Sequence, residues 1–197
     1  MLKYKEALTM KPSAFKSLSN IEFDKSLSFN TSRALLLKGS YEGEEWSFKF
    51  FVSTEAVRER YLKLANIDLP FIPKSRFLDN EIRIIEQGEF VWQPVLMSRW
   101  IKGEVLSNVL RALCQNNDLE ALVELRGKVI DVFVELLSTD LIHGDLKFEN
   151  IIVSESGEIY IIDWDGYYLP ELKDYFSGEI GTYSFQHPSR TCADYGR

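Results

Sequence analysis

Residues 143–150 read HGDLKFEN, and residues 161–166 read IIDWDG. Between these stretches lie an apolar run at 151–153, a Ser-Glu-Ser-Gly sequence at 154–157 and a second apolar run at 159–162. Two short apolar runs separated by a turn sequence predict a β-hairpin. The hairpin would return the acidic residues that follow it to the side of the polar residues that precede it.

The polar side chains of these two stretches suit one kind of chemistry, the transfer of a phosphoryl group. Asp145 can accept the proton of an attacking hydroxyl, and Lys147 can neutralise charge on the transferred group. Asn150 and Asp163 bracket the hairpin and offer the amide and carboxylate oxygens that Mg²⁺ prefers. The alternative is a polar loop in which these side chains only cap turns.

The rest of the chain has a strand-rich first half and a helix-rich second half. Apolar runs predict strands within 26–52, and residues 54–65 have the apolar spacing of a helix. The pattern of residues 1–24 is mixed. Further elements are predicted as strands around 82–87 and 90–100 and as helices within 104–138, interrupted at 116–118. This order indicates the α+β class.

The composition is that of an ordinary globular chain and excludes several kinds of partner. The 197 residues are 45% hydrophobic and 27% charged. A net charge of −7 without a Lys/Arg cluster argues against binding to nucleic acid. No apolar run is long enough to cross a bilayer, and the N-terminus does not resemble a secretory signal. Only Cys114 and Cys192 are present, which predicts reduced thiols in the cytoplasm.

HGDLKFEN resembles the protein-kinase catalytic loop H-R-D-L-x-x-x-N, and IIDWDG resembles the strand that leads into D-F-G. Residues 181–188, GTYSFQHP, are similar to the G-T-x-x-Y-x-A-P segment of kinases. DWDG together with QHP also resembles a group of poorly characterised bacterial kinase-like proteins. The resemblance implies a bilobal protein-kinase-like fold. The N-lobe, 1–100, would hold a five-stranded sheet and one helix, and 101–197 would form a partial, mainly helical C-lobe.

The same resemblance implies roles for the residues of the loop and hairpin. Asp145 would be the catalytic base, with Asn150 and Asp163 as magnesium ligands. Lys147 would be the lysine typical of serine/threonine kinases, and Thr182 would bridge it to Asp145. The implied activity is transfer of the γ-phosphate of ATP to a protein hydroxyl, with ATP and Mg²⁺ as cofactors.

The resemblance also implies a lysine–glutamate pair that holds the α- and β-phosphates of ATP. Lys49 lies between large apolar residues in WSFKFF, as such a lysine would. Glu59 is the expected partner, and Glu55, one helical turn earlier, is the fallback. The alternatives are a lysine at the surface of an edge strand and a solvated helix charge.

Residues 95–103 resemble the strand and hinge that contact adenine. Backbone groups of Arg99, Trp100 and Ile101 would make these hydrogen bonds, and Glu104 would meet the ribose. For Glu104, the alternative is an ordinary helix start.

The chain departs from the kinase pattern in three places. Residues 28–33 contain no glycine, although a G-x-G-x-x-G loop is expected there to approach phosphate closely. Gly144 replaces the arginine that usually receives an activation-segment phosphate, so we expect no switch of that kind. The chain stops at Arg197, before the helices that follow in kinases, which favours a truncated C-lobe. The helices at 104–138 would then expose apolar surface that a partner chain could cover.

Two other functions remain open. The H-G-D sequence also occurs in aminoglycoside and choline kinase-like proteins, which phosphorylate small molecules. The missing glycine loop instead favours a pseudokinase, weak or inactive, that acts as a scaffold.

Overall fold

The chain forms two units and belongs to the α+β class. The first unit comprises Met1–Asp68 and Lys74–Trp100, and the second comprises Leu69–Pro73 and Ile101–Arg197. The structure, a computed structural model, describes residues 2–9, 13–30, 34–51, 58–172 and 181–187.

An antiparallel sheet of five strands forms most of the first unit. The strands are β1 (Glu22–Asn30), β2 (Ala34–Tyr41), β3 (Glu44–Phe51), β4 (Ser75–Glu86) and β5 (Glu89–Arg99). Their order in the sheet is β1-β2-β3-β5-β4, which makes β3 the central strand. Gly43 and Gly88 lie in the turns of the β2–β3 and β4–β5 hairpins with positive φ, a conformation that glycine adopts without strain. Both pairs of strands were predicted, but β4 begins earlier than expected.

The main core of the first unit lies on one face of this sheet. Phe48 and Phe50 of β3 are fully buried there. Helix α1 (Leu2–Thr9) packs on the same face, with the Tyr4 ring 5.6 Å from that of Phe50. The mixed pattern of residues 1–24 did not predict this helix, so the described part of the first unit contains two helices where one was expected.

The opposite face of the sheet carries helix α2 (Arg58–Leu64). Tyr61 of α2 packs between Phe51 and Phe77, with ring centroids 5.0 Å and 6.1 Å away. Side chains alternate along a strand, so Lys49 shares this face with Phe51. The predicted start of the helix, at 54–57, lies outside the described residues.

The second unit combines two long helices with a small antiparallel sheet. Its elements are β6 (Gly103–Val105), α3 (Leu106–Gln115), α4 (Leu119–Leu137), β7 (Ile151–Ser154) and β8 (Ile159–Ile161). Asp118 caps α4 by accepting a hydrogen bond from the backbone N–H of Ala121 at 3.0 Å. The core contains Leu106, Leu125 and Ile151. The break between the helices and the β7–β8 hairpin were predicted, whereas β6 was not.

A line of apolar side chains remains exposed along α4. Its members recur at intervals of three, four or seven residues and thus share one side of the helix. They are Leu119, Val123, Ile130, Val134 and Leu137. Leu125 and Leu136, on another side of α4, are buried. Exposed apolar surface on these helices was expected, and a partner chain that covers it stays a prediction.

Within the described residues, every helix is too short or too polar to cross a membrane. Cys114 is an exposed, free thiol. Cys192 lies outside the described residues.

Candidate active site

The β7–β8 hairpin brings the two candidate magnesium ligands to the same end of the sheet. Ile151 pairs with Ile161 across the hairpin. Beyond that pair, the backbone N–H of Ile162 donates to the carbonyl oxygen of Asn150 at 2.9 Å. Asp163 is the next residue, so the chain returns to Asn150 as the sequence predicted.

Asp145 lies at the centre of a small polar network. Lys147 Nζ donates to Asp145 Oδ2 and to Thr182 Oγ1, both at 3.1 Å. The backbone N–H of Thr182 donates to the other carboxylate oxygen of Asp145. The side chains of Asp145 and Lys147 are 16% and 24% exposed, so solvent and a ligand can still reach them. The structure therefore brings these three predicted residues together, with Thr182 bridging the other two.

This network keeps Asp145 ionised. Partial burial by itself raises the pKa of the carboxyl group. The hydrogen bonds from Thr182 and Lys147 outweigh that effect, and the net pKa lies below its ordinary value. At neutral pH, Asp145 is therefore a carboxylate that can accept a hydrogen bond from a hydroxyl.

Asn150 and Asp163 present oxygen atoms of the kind that Mg²⁺ prefers. Asn150 is buried, and its Nδ2 donates to the carbonyl oxygen of Asp145 at 2.8 Å, which leaves Oδ1 as the acceptor atom of the amide. Asp163 is exposed, and its backbone has a left-handed conformation with φ 62° and ψ 56°. For residues other than glycine, strained conformations of this kind cost about 1–3 kcal/mol and cluster at functional sites.

The donor set suits a magnesium ion that is shared with phosphate. Among the described residues, no cluster of three or more His, Cys, Asp or Glu side chains could hold a metal ion alone. Mg²⁺ commonly takes one or two protein ligands and completes its shell with water and substrate phosphates. Asn150 and Asp163 fit that arrangement.

His143 fastens the loop to the hairpin, a role that the sequence analysis did not assign. The side chain is 2% exposed. The backbone N–H of Asp145 donates to Nδ1 at 3.3 Å. Since Nδ1 accepts, the neutral ring carries its hydrogen on Nε2, which donates to the carbonyl oxygen of Ile162 at 2.9 Å. The ring also packs on Trp164, with centroids 4.5 Å apart. The position of His143 two residues before Asp145, as in the H-R-D sequence of kinases, was the signal that could have indicated this role.

Burial lowers the pKa of His143 below its ordinary 6.5. The hydrogen bond to Ile162 and the charges of Asp163, Asp145 and Asp165 oppose this effect without overcoming it. The folded protein therefore keeps the ring neutral at pH values at which the unfolded chain protonates it. Below about pH 6.5 the unfolded state binds more protons, so the free energy of unfolding falls as the pH falls.

We expect this decrease to be visible in urea unfolding between about pH 7.5 and about pH 5. The slope of unfolding free energy against pH should be shallower in His143→Gln, because glutamine does not titrate. His187→Gln is the matched control, since His187 is exposed and is the other histidine of the chain. Equal slopes for the wild type and His143→Gln would contradict the assignment.

Residues 181–187 lie against the loop at 143–150. Gln186 Nε2 donates to the carbonyl oxygen of Gly144 at 3.0 Å. The Phe185 ring packs edge-on to that of Phe148, with centroids 5.7 Å apart. The sequence had singled out this segment for its resemblance to kinases and had given a role to Thr182, but the contacts of Gln186 and Phe185 were not predicted.

Lys49 lies in the interior of the first unit's sheet. It pairs with Leu36 of β2 and Leu96 of β5. Because β3 is the central strand, the alternative of an edge-strand lysine does not hold. Glu59 is 49% exposed and pairs with Arg58 at 3.1 Å, so the structure gives its carboxylate a different partner from Lys49. The fallback, Glu55, lies outside the described residues.

Two of the backbone N–H groups in the segment expected to contact adenine already have partners in the first unit. The backbone N–H of Arg99 donates to the carbonyl oxygen of Lys74 at 2.9 Å. The backbone N–H of Trp100 donates to the carbonyl oxygen of Glu45 at 3.0 Å. Since each amide carries one hydrogen, the N–H groups of Arg99 and Trp100 are not available to adenine, and contacts through the N–H of Ile101 or through the backbone carbonyl groups stay a prediction.

Glu104 lies in β6 of the second unit, opposite Val153 of β7. Its side chain is exposed and accepts a hydrogen bond from Asn108 Nδ2 at 3.2 Å. The carboxylate is thus at the surface, and its contact with a ribose stays a prediction.

Comparison of the chain with protein-family models found no match, and comparison with curated proteins found none either.

Proposed function

We propose that this protein is an ATP- and Mg²⁺-dependent phosphotransferase of the serine/threonine protein kinase type, with a bilobal kinase-like fold. One observation carries the proposal: Asp145, Lys147 and Thr182 form a single network. Asn150, directly before the hairpin, is joined to this network because its side chain donates to the backbone carbonyl group of Asp145.

In the proposed reaction, a hydroxyl oxygen of the substrate attacks the γ-phosphorus of ATP. The bond between that phosphorus and the oxygen bridging to the β-phosphate breaks, and ADP leaves. The hydroxyl proton passes to Asp145. Because the lowered pKa makes this carboxylate a weak base, its main contribution is to orient the hydroxyl, and it takes the proton as the new bond forms.

Charge neutralisation is the second requirement of phosphoryl transfer. Lys147 is a cation beside Asp145 and would stabilise negative charge on the transferred group. Asn150 and Asp163 would hold Mg²⁺, which when bound neutralises charge on the phosphate oxygens. Lys49 is the residue that the proposal assigns to the α- and β-phosphates.

Exposed aromatic side chains favour a protein substrate. Tyr183 is 88% exposed, and Phe148 and Phe185 are each nearly half exposed. Phe148 directly follows Lys147, and Tyr183 and Phe185 lie one and three residues after Thr182. Aromatic side chains are enriched where proteins bind other proteins.

A second candidate function is a catalytically weak or inactive pseudokinase. The observations that favour it concern the first unit. Glu59 pairs with Arg58, and the amides of Arg99 and Trp100 donate to backbone carbonyls. These contacts give Glu59 a partner other than Lys49 and engage two of the backbone N–H groups in the segment that the resemblance had assigned to adenine.

Incubation with γ-labelled ATP and Mg²⁺ tests the proposal. The expected result is label on generic protein substrates or on the protein itself. Label on an aminoglycoside or on choline would instead indicate a small-molecule kinase. If no phosphate is transferred, thermal unfolding with Mg-ATP identifies a pseudokinase that binds nucleotide. A ligand at 100 times its Kd stabilises the folded state by about 2.7 kcal/mol even when no phosphate is transferred. Absence of transfer would overturn the proposed phosphotransferase, and absence of both transfer and stabilisation would overturn the pseudokinase as well.

A further inference from the structure

The contact between Gln186 and Gly144 joins the 181–187 segment to the catalytic loop directly before Asp145. Both residues are partly buried. The side-chain amide of Gln186 donates to the Gly144 carbonyl oxygen at 3.0 Å. Gly144 has φ +85°, a left-handed conformation that favours glycine and aims this carbonyl group.

Gly181 closes the other side of this contact. Its φ is +83°. A Cβ atom at this position would lie 2.3 Å from Gln186 Nε2 and 2.5 Å from the Gly144 oxygen. Both distances are far shorter than a van der Waals contact, so only glycine allows the segment to lie this close to the loop. Thr182, the next residue, donates its backbone N–H to Asp145.

The segment is therefore attached to two adjacent residues of the loop. Thr182 binds Asp145, and Gln186 binds Gly144. A short 3₁₀ helix, Tyr183–Phe185, separates the two attachments. Its hydrogen bonds, Phe185 N–H to Thr182 O at 2.9 Å and Gln186 N–H to Tyr183 O at 3.2 Å, keep the spacing fixed. Two attachments across a rigid spacer define an orientation, which one hydrogen bond alone does not.

We propose that Gln186 is a positioning residue that clamps the 181–187 segment onto the catalytic loop and so holds the Thr182 amide on Asp145. The clamp consists of Gln186, Gly144 and Gly181. It uses a neutral amide and a backbone carbonyl, so the segment is ordered without phosphorylation. The catalytic part of this inference rests on the proposed function, whereas the clamp itself rests only on the contacts of the second unit.

Gln186→Glu is the sharpest variant, because glutamate has the shape of glutamine but, when ionised, lacks the N–H donor. Its carboxylate would also face the Gly144 oxygen. A neutral hydrogen bond of ordinary strength corresponds to a change of about 2- to 10-fold in an equilibrium constant. We therefore expect protection of the Thr182 backbone amide against hydrogen exchange to fall by about that factor or more.

Hydrogen exchange measured by NMR requires neither ATP nor activity. Ser184→Ala is the matched control, since Ser184 is exposed in the same 3₁₀ helix. It should keep wild-type protection at Thr182. Gln186→Ala is the second variant, to be used if the Gln186→Glu protein does not fold. Unchanged protection at Thr182 would overturn the clamp. An equal loss at the Ile161 amide of β8 would overturn it too, because the effect would then be global.

Kinetics distinguish positioning from a purely structural role. In Gln186→Glu, kcat should fall by about 2- to 10-fold or more while KM for ATP stays at its wild-type value. An unchanged kcat despite lost protection would overturn the positioning role. A wild-type protein that transfers no phosphate would overturn the proposed function instead, and the exchange result would still decide whether the clamp exists.

Discussion

Asp145→Asn is expected to lower the rate of phosphoryl transfer by about 10²- to 10⁴-fold, the usual loss when a positioned general base is removed. Asparagine keeps the size of the side chain and an oxygen that can accept the N–H of Thr182. Its Nδ2 cannot take a proton, and it would face the Lys147 ammonium group with hydrogens. The hydroxyl of the substrate would then lose both its acceptor and its orientation.

The measurement is initial-rate transfer from γ-labelled ATP at saturating Mg²⁺. Asp140→Asn is the matched control, because Asp140 is an exposed aspartate shortly before the same loop. It should leave the rate unchanged. Thermal unfolding of both variants with Mg-ATP would show that the nucleotide still binds. A wild-type rate in Asp145→Asn would exclude Asp145 as the base.

His143→Leu is expected to lower the free energy of unfolding by about 2 to 6 kcal/mol. The substitution leaves two partly buried polar groups without the His143 ring as partner, the N–H of Asp145 and the carbonyl of Ile162. Each such group costs about 1–3 kcal/mol when it is left unsatisfied. Leucine supplies neither a donor nor an acceptor, so the loop and the hairpin would also separate.

Urea unfolding at neutral pH measures this loss as a lower midpoint at unchanged slope. His187→Leu, at an exposed position, is the control and should change stability by no more than about 0.5 kcal/mol. The free energy of unfolding should fall less in His143→Gln than in His143→Leu, because the glutamine amide can replace one of the two hydrogen bonds. A loss below about 0.5 kcal/mol in His143→Leu would show that the histidine does not fasten the loop.

Most of the strands could be predicted along the chain, because the pattern that forms a hairpin is local. Apolar runs with short turn sequences between them define hairpins, and strands were expected within 26–52 and around 82–87 and 90–100, where the two hairpins of the first unit lie. The relation of Asn150 to Asp163 was predictable for the same reason, since one short hairpin connects them. Helix α1 was missed because its apolar spacing is weak and its stability comes from packing on Phe50.

The contacts that complete the candidate site were harder to predict. Asp145 and Thr182 are 37 residues apart, and only the resemblance to a kinase segment suggested that they meet. Gln186 belongs to the QHP sequence that resembles a group of bacterial kinase-like proteins, but nothing in the sequence indicated its contact with Gly144. Glu59 was expected to face Lys49, yet a helical pattern cannot say which neighbour a half-exposed carboxylate selects, and Arg58 is closer in sequence.

The sequence alone determined which chemical groups this protein can bring to a reaction: the carboxylates Asp145 and Asp163, the amide of Asn150 and the cation Lys147. It also determined the hairpin that brings Asn150 and Asp163 to the same end of the sheet, because hydrogen bonds between neighbouring strands depend on nearby residues. Only the tertiary structure decided which of these groups form hydrogen bonds with one another and with distant segments of the chain. Burial of His143 and the attachment of residues 181–187 join segments that are distant in the chain, and a linear pattern does not contain their distances.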